Sequence, residues 1–152
     1  MSSAVDADLL VYAHNASVSQ HAGARAFVET TMLGDGDEEF VMVHQTLFEL
    51  YSALSSALIL PKPLTGLEAW GVCRIYLEHP RLQTVAYAPP VIEIIEALLK
   101  QHPHRGKRFF DLVLAATLKY HGITKIYTHN TKHFRGYEFL KVENPLLEPR
   151  FF

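Results

Sequence analysis

Short apolar runs of strand length alternate along this chain with longer segments whose apolar residues recur at helical spacing, and that alternation restricts the fold more than any other feature. Strands separated by helices cannot pair as tight hairpins. Their connections are crossovers, which imply a largely parallel sheet with helices on both faces. The expected class is therefore α/β, a three-layer α/β/α domain around a central, largely parallel sheet. Val5 to Tyr12 opens as a strand, and His21 to Leu33 reads as a helix followed by the turn-rich Gly34-Asp35-Gly36-Asp37. A strand at Phe40–Val43 leads into a helix carrying Leu47, Leu50, Tyr51, Leu54 and Leu58, stopped at Pro61. Thr65 is an N-cap for a helix through Leu77 that buries Leu67, Trp70 and Cys73. A strand near Leu82–Ala86, a helix from Val91 to Gln101 and a helix from Phe110 to Tyr120 follow, the last ending at His121-Gly122. Ile123 to Thr128 is a strand and Leu140 to Val142 a short edge strand. In such sheets ligands bind beyond the carboxyl ends of the strands.

At 152 residues, 49% of them hydrophobic, the chain is long enough for one well-buried core, and no repeat or linker divides it, so residues 1–152 read as a single domain. That apolar content excludes a disordered chain. No run free of Asp, Glu, Lys and Arg reaches the roughly 20 residues of a membrane span, and Asp6 and Asp8 interrupt the early apolar run where a secretory signal would lie. Cys73 is the single cysteine, which leaves no internal disulfide and no multi-cysteine zinc site. A cytoplasmic protein is expected.

Three carboxylates interrupt segments that otherwise look buried. Asp6 sits near the carboxyl end of the first strand, Glu49 lies between Leu47-Phe48 and Leu50-Tyr51, and Asp111 lies within Phe109-Phe110-Asp111-Leu112-Val113. An ionised carboxylate buried without a partner is costly, so each needs a compensating group. Each also has a local explanation. Thr46-Leu47-Phe48-Glu49 fits a capping box, Asp111 suits a helix N-terminus, and Asp6 suits a turn. Together the three point to one crevice, where converging carboxylates repel unless a cation lies between them. Oxygen-only ligation suits Mg²⁺ or Mn²⁺ and metal-assisted phosphoryl chemistry.

The charge pattern points the same way. The formal net charge is −2, yet residues 1–80 carry −7 and residues 81–152 carry +5. From Lys100 to Lys141 there are nine Lys and Arg residues and five histidines against two acids. A basic face of this kind attracts phosphate.

With these residues in view, the sequence resembles the PIN-domain ribonucleases, specifically the VapC-type toxins of toxin–antitoxin pairs. The likeness runs from Val5 to Leu146. It rests on V-D-A-D-L-L-V-Y-A, T-L-F-E-L-Y-S-A-L, F-D-L-V-L-A-A-T, I-Y-T-H-N-T-K-H-F and V-E-N-P-L in that order. The resemblance implies a PIN-like α/β/α fold and metal-dependent endoribonuclease activity, with Asp6, Glu49, Asp111 and Asn130 as the site. Those four would hold Mg²⁺ or Mn²⁺. Thr128, two positions before Asn130, reads either as a group that orients a water or the scissile phosphate or as an ordinary strand-end threonine. Lys107 and Arg108, before the third motif, and Lys132 and Arg135, after the fourth, would grip RNA phosphates. A homodimer and a cognate antitoxin are the partners it implies. Two positions depart from the family pattern: Asp8 stands where Asn is frequent, and Asn130 where Asp is frequent.

Other classes fit less of the sequence. Asp6-Ala7-Asp8 matches the D-x-D of aspartyl-nucleophile phosphatases, but Leu9-Leu10 stands where Gly-Thr is usual. His129 and His133, and His102-Pro103-His104, suggest zinc, but no H-E-x-x-H motif or cysteine partner accompanies them. A non-catalytic PIN-like module binding RNA or protein is the remaining alternative. Phe109, Phe110 and Phe134 are expected in the core.

Overall fold

The computed structural model describes residues 2–146. Its strands are β1 (Ser2–Val5), β2 (Glu39–Val43), β3 (Leu82–Val85), β4 (Lys125–Tyr127) and β5 (Lys141–Glu143). The helices are α1 (Ala7–Ala13), α2 (His21–Ala26), α3 (His44–Leu54), α4 (Gly66–Glu78), α5 (Val91–Gln101) and α6 (Arg108–Tyr120). The strands form one sheet in the order β3-β2-β1-β4-β5, and every pairing is parallel.

Alternation along the strands builds two cores. Val5, Phe40, Met42, Leu82 and Tyr127 face α1–α4, together with Leu9, Leu10, Leu47, Leu50 and Cys73. Ala4, Val41, Val43 and Ile126 face the opposite way onto α5 and α6, against Val91, Leu98, Leu112, Leu114 and Leu118. The three-layer α/β/α arrangement read from the sequence is what is observed.

Several boundaries differ from expectation, each for a local reason. The first strand ends at Val5 and α1 begins at Ala7, because the Asp6 carboxylate accepts the Ala7 N–H at 2.8 Å and caps the helix. The helix from His21 turns π-helical over Phe27–Met32. Helix α3 starts at His44 and ends at Leu54, so Thr46 and Glu49 lie inside it and no capping box forms there. The capping box occurs instead at Thr65 and Glu68, opening α4. On α4 the buried face is Ala69, Cys73 and Tyr76, at helical spacing. Leu67 lies on the opposite side and is 87% exposed, contrary to expectation. Phe110 is likewise 55% exposed rather than in the core, whereas Phe134 is fully buried. Gly122, at φ +70°, ends α6 as expected.

One turn glycine is dictated by close approach. After the π-helical segment the Leu33 N–H reaches the Val28 carbonyl, and a Cβ on Gly34 would lie 2.1 Å from the Thr30 carbonyl oxygen. Gly34→Ala is therefore expected to destabilise by about 1–3 kcal/mol. Urea unfolding with an unchanged midpoint would contradict this.

At the amino edge of the sheet, Glu38 gathers Ser3 Oγ at 2.6 Å, Tyr127 Oη at 2.8 Å and Lys125 Nζ at 3.5 Å. Burial alone would raise the Glu38 pKa, but hydrogen bonds from Ser3 and Tyr127 and the Lys125 charge outweigh it and hold it below the ordinary value. A depressed folded-state pKa adds stability above the unfolded pKa and loses it as pH falls through the folded one. Wild type should therefore melt above Glu38→Gln at neutral pH, with the gap closing below roughly pH 4. A gap constant from neutral to strongly acid pH would refute this.

Candidate active site

Strand order places the site. From β1 the chain builds outward through β2 and β3, then returns to the other side of β1 as β4. The crevice between the carboxyl ends of β1 and β4 is the point where the order reverses, and ligands bind at such points in open α/β sheets. Asp6 follows β1 and Thr128 follows β4. The Asp6 N–H donates to the Tyr127 carbonyl at 2.9 Å, continuing the ladder one residue past each strand.

Around that crevice lies a cavity of about 250 Å³ lined by Asp6, Ala7, Asp8, Glu49, Lys107, Arg108, Asp111, Asn130 and His133. Three elements beyond β1 deliver its acids: Asp8 from the first turn of α1, Glu49 from the middle of α3, and Asp111 from the first turn of α6. Among the described residues no three His, Cys, Asp or Glu donors close into a ready cage; the acids ring an open cavity.

Asp6 is 9% exposed. Its Oδ1 accepts from Ala7 N–H, and its Oδ2 accepts from Thr128 Oγ at 2.9 Å. Burial pushes its pKa well up and the charge of Asp8 adds to this, while the Thr128 hydroxyl opposes it and Glu49 and Asp111 raise it further. Glu49 is raised by burial, opposed by a hydrogen bond from Gln45, and raised again by Asp111 and Asp8. Burial also raises Asp111, opposed by the neighbouring His133, Arg108 and His104. Asp8 is raised by burial despite accepting the N–H groups of Leu9, His129 and Asn130. Four carboxylates thus share one cavity with more negative charge than the protein neutralises. An all-oxygen set of this kind fits a hard divalent cation that keeps several waters.

Thr128 is fully buried, and its hydroxyl is shared between Asp6 Oδ2 at 2.9 Å and Asp8 Oδ2 at 3.3 Å while accepting the Asn130 N–H at 3.1 Å, so it holds carboxylates rather than facing a ligand. Asn130 lines the cavity, its backbone N–H donating to Asp8 Oδ2 at 3.2 Å. Lys107 and Arg108 line it too, with Arg108 Nε 3.3 Å from Asp111 Oδ2. Lys132 and Arg135 are exposed on the segment that follows Asn130 and do not line it.

His133 was not among the residues expected to act at the acidic site, yet its Nδ1 lies 3.2 Å from Asp111 Oδ2. His129 Nδ1 faces the Tyr12 hydroxyl at 3.4 Å instead, so the two histidines serve different partners and do not form a zinc pair. Sequence spacing gave no sign of this division, which depends on the 3₁₀ turn at Thr131–His133.

Comparison with known proteins identifies the family and the fold. Residues 4–140 match the profile of the PIN domain. The chain is 30% identical over 143 residues to Ribonuclease VapC24 of Mycobacterium tuberculosis, covering 93% of this chain and 95% of that protein. Its fold is similar to that of Mycobacterium tuberculosis VapC20, a Sarcin-Ricin loop cleaving toxin, with TM-score 0.65 and 16% identity over 86% of this chain and 92% of the other. It is also similar to a chain of Rickettsia felis VapBC2 bound to a promoter DNA fragment, with TM-score 0.62 and 17% identity over 95% and 98% of the two chains.

Proposed function

The chain belongs to the PIN-domain family, and on that premise we propose that it is a divalent-metal-dependent endoribonuclease, the toxin of a type II toxin–antitoxin pair. The observation that carries the site assignment is the crowding of Asp6, Asp8, Glu49 and Asp111 around one cavity beside Lys107 and Arg108. Mg²⁺ or Mn²⁺ would be held by Asp6, Glu49 and Asp111, with Asn130 adding an amide oxygen. When bound there, the cation supplies charge neutralisation for the phosphate and acidifies an attacking water.

The protein's own residues do the rest. Thr128 fixes the rotamer of Asp6 and stabilises its ionised form. Asp8 fastens the His129–Asn130 backbone and so aims the Asn130 side chain. Lys107 brings positive charge to the rim for an RNA phosphate, and Lys132 and Arg135 extend that charge along the strand leaving the site. Arg108 balances Asp111 until substrate arrives.

The partners are RNA as substrate and an antitoxin protein, whose Arg or Lys can pair with the cavity acids. A second copy of the chain and a cytoplasmic setting complete the proposal. No helix among the described residues is long and apolar enough to cross a membrane. Purified protein freed of any partner should cleave RNA with Mg²⁺ or Mn²⁺ and stop in excess EDTA. Undiminished cleavage in EDTA, or by Asp111→Asn, would overturn the assignment.

A further inference from the structure

Gln45 is 5% exposed, one of the few polar side chains buried so completely. It stands on the second residue of α3, four positions before Glu49, so the two share one helix face. Its Nε2 donates to Glu49 Oε1 at 3.0 Å and to the Phe110 carbonyl at 2.8 Å. Its Oε1 accepts from the Tyr87 hydroxyl at 2.9 Å. Two of these partners are fixed in sense. The carboxylate and the carbonyl only accept, so the amide must turn its NH₂ toward them and its oxygen toward Tyr87.

The consequence is mechanical. The Phe110 carbonyl belongs to the first turn of α6 and immediately precedes Asp111. One amide therefore holds the side chain of one cavity acid and the backbone next to another, bridging elements 65 residues apart in sequence. We propose that Gln45 is a positioning residue for this site, fixing the gap between Glu49 and Asp111, with Tyr87 locking the amide's orientation. This rests on the metal-site reading above.

An apolar residue would pack in this place without needing three hydrogen-bond partners, and one of the bonds Gln45 makes reaches the α6 backbone beside Asp111, which helix α3 alone does not need. Residues that orient metal-binding side chains typically change metal affinity or activity by about 10- to 100-fold when replaced. Gln45→Met keeps the length and removes every bond. The test measures the dissociation constant of Mn²⁺ for metal-free protein by calorimetry, alongside kcat, KM for RNA and the melting temperature, in wild type, Gln45→Met, Tyr87→Phe and Glu49→Gln.

Gln45→Met is expected to weaken Mn²⁺ binding roughly tenfold and to lower kcat while KM moves less than about twofold, since the basic rim is untouched. Tyr87→Phe, at a half-exposed position, should shift both in the same direction and by less. A folded Gln45→Met with wild-type Mn²⁺ affinity, beside a weakened Glu49→Gln, would overturn the role of Gln45 alone. If Gln45→Met does not fold, wild-type Mn²⁺ affinity in Tyr87→Phe overturns it. Wild-type affinity in Glu49→Gln would instead remove the metal-site reading on which it stands.

Discussion

Asp6→Asn is expected to abolish metal-dependent RNA cleavage while raising the melting temperature of the metal-free protein. The two effects have one cause. The Asp6 carboxylate is buried among Asp8, Glu49 and Asp111, and its pKa is pushed well up by burial and then by those charges. A carboxyl whose folded-state pKa is raised costs stability at every pH where it must stay ionised in the folded protein. Asparagine removes that charge and keeps an oxygen for the Ala7 N–H, and Asn caps a helix as well as Asp does. The gain should be a few degrees, the scale on which about 1 kcal/mol moves a domain of this size.

On the proposed assignment activity moves oppositely, because the Asp6 charge would hold the cation. Losing several kcal/mol of transition-state charge stabilisation lowers kcat/KM by about 10³-fold or more. Added Mn²⁺ should stabilise wild type by mass action and leave Asp6→Asn nearly unmoved. A variant that melts lower than wild type without metal, or that cleaves at a wild-type rate, contradicts the account.

How far the sequence could be read follows from what each residue costs. Asp6, Glu49 and Asp111 were conspicuous because a carboxylate inside an apolar run needs a reason, and the fold brings all three to one cavity. The α5 boundaries are legible because its apolar spacing runs from Val91 to Leu99 after Pro89-Pro90 and gives way to Lys100-Gln101. The start of α1 was not, since Val11 and Tyr12 suit a strand and only the Asp6 cap reveals the helix. The local alternative for Glu49, a capping box at Thr46–Glu49, is not formed because α3 begins earlier, at His44, and carries Glu49 past the first turn. Thr65–Glu68 carries the same pattern and forms the motif. Gln45 and His133 gave no warning at all. Neither is costly in a sequence, and their contacts with α6 are long-range ones that no local pattern encodes.

Asp8 is the position where charge and connectivity lead to different expectations, and two substitutions separate them. Its Oδ1 accepts the Leu9 N–H at 2.7 Å, and its Oδ2 accepts the N–H groups of His129 at 3.0 Å and Asn130 at 3.2 Å. That set ties α1 to the segment leaving β4, across the crevice. Asp8→Ala deprives three backbone donors of a charged acceptor and should cost about 2–4 kcal/mol. With the Asn130 loop released, cleavage should fall about 100-fold. Asp8→Asn retains one oxygen for His129 and Asn130, forfeits the Leu9 bond, and relieves repulsion on Asp6. It should therefore stay within about 1 kcal/mol of wild type in urea unfolding and within about tenfold in kcat/KM. If Asp8→Asn is instead as inactive as Asp6→Asn while equally well folded, the negative charge of Asp8 is itself required. The residue then belongs with the cation-holding acids, and its hold on the Asn130 loop is secondary.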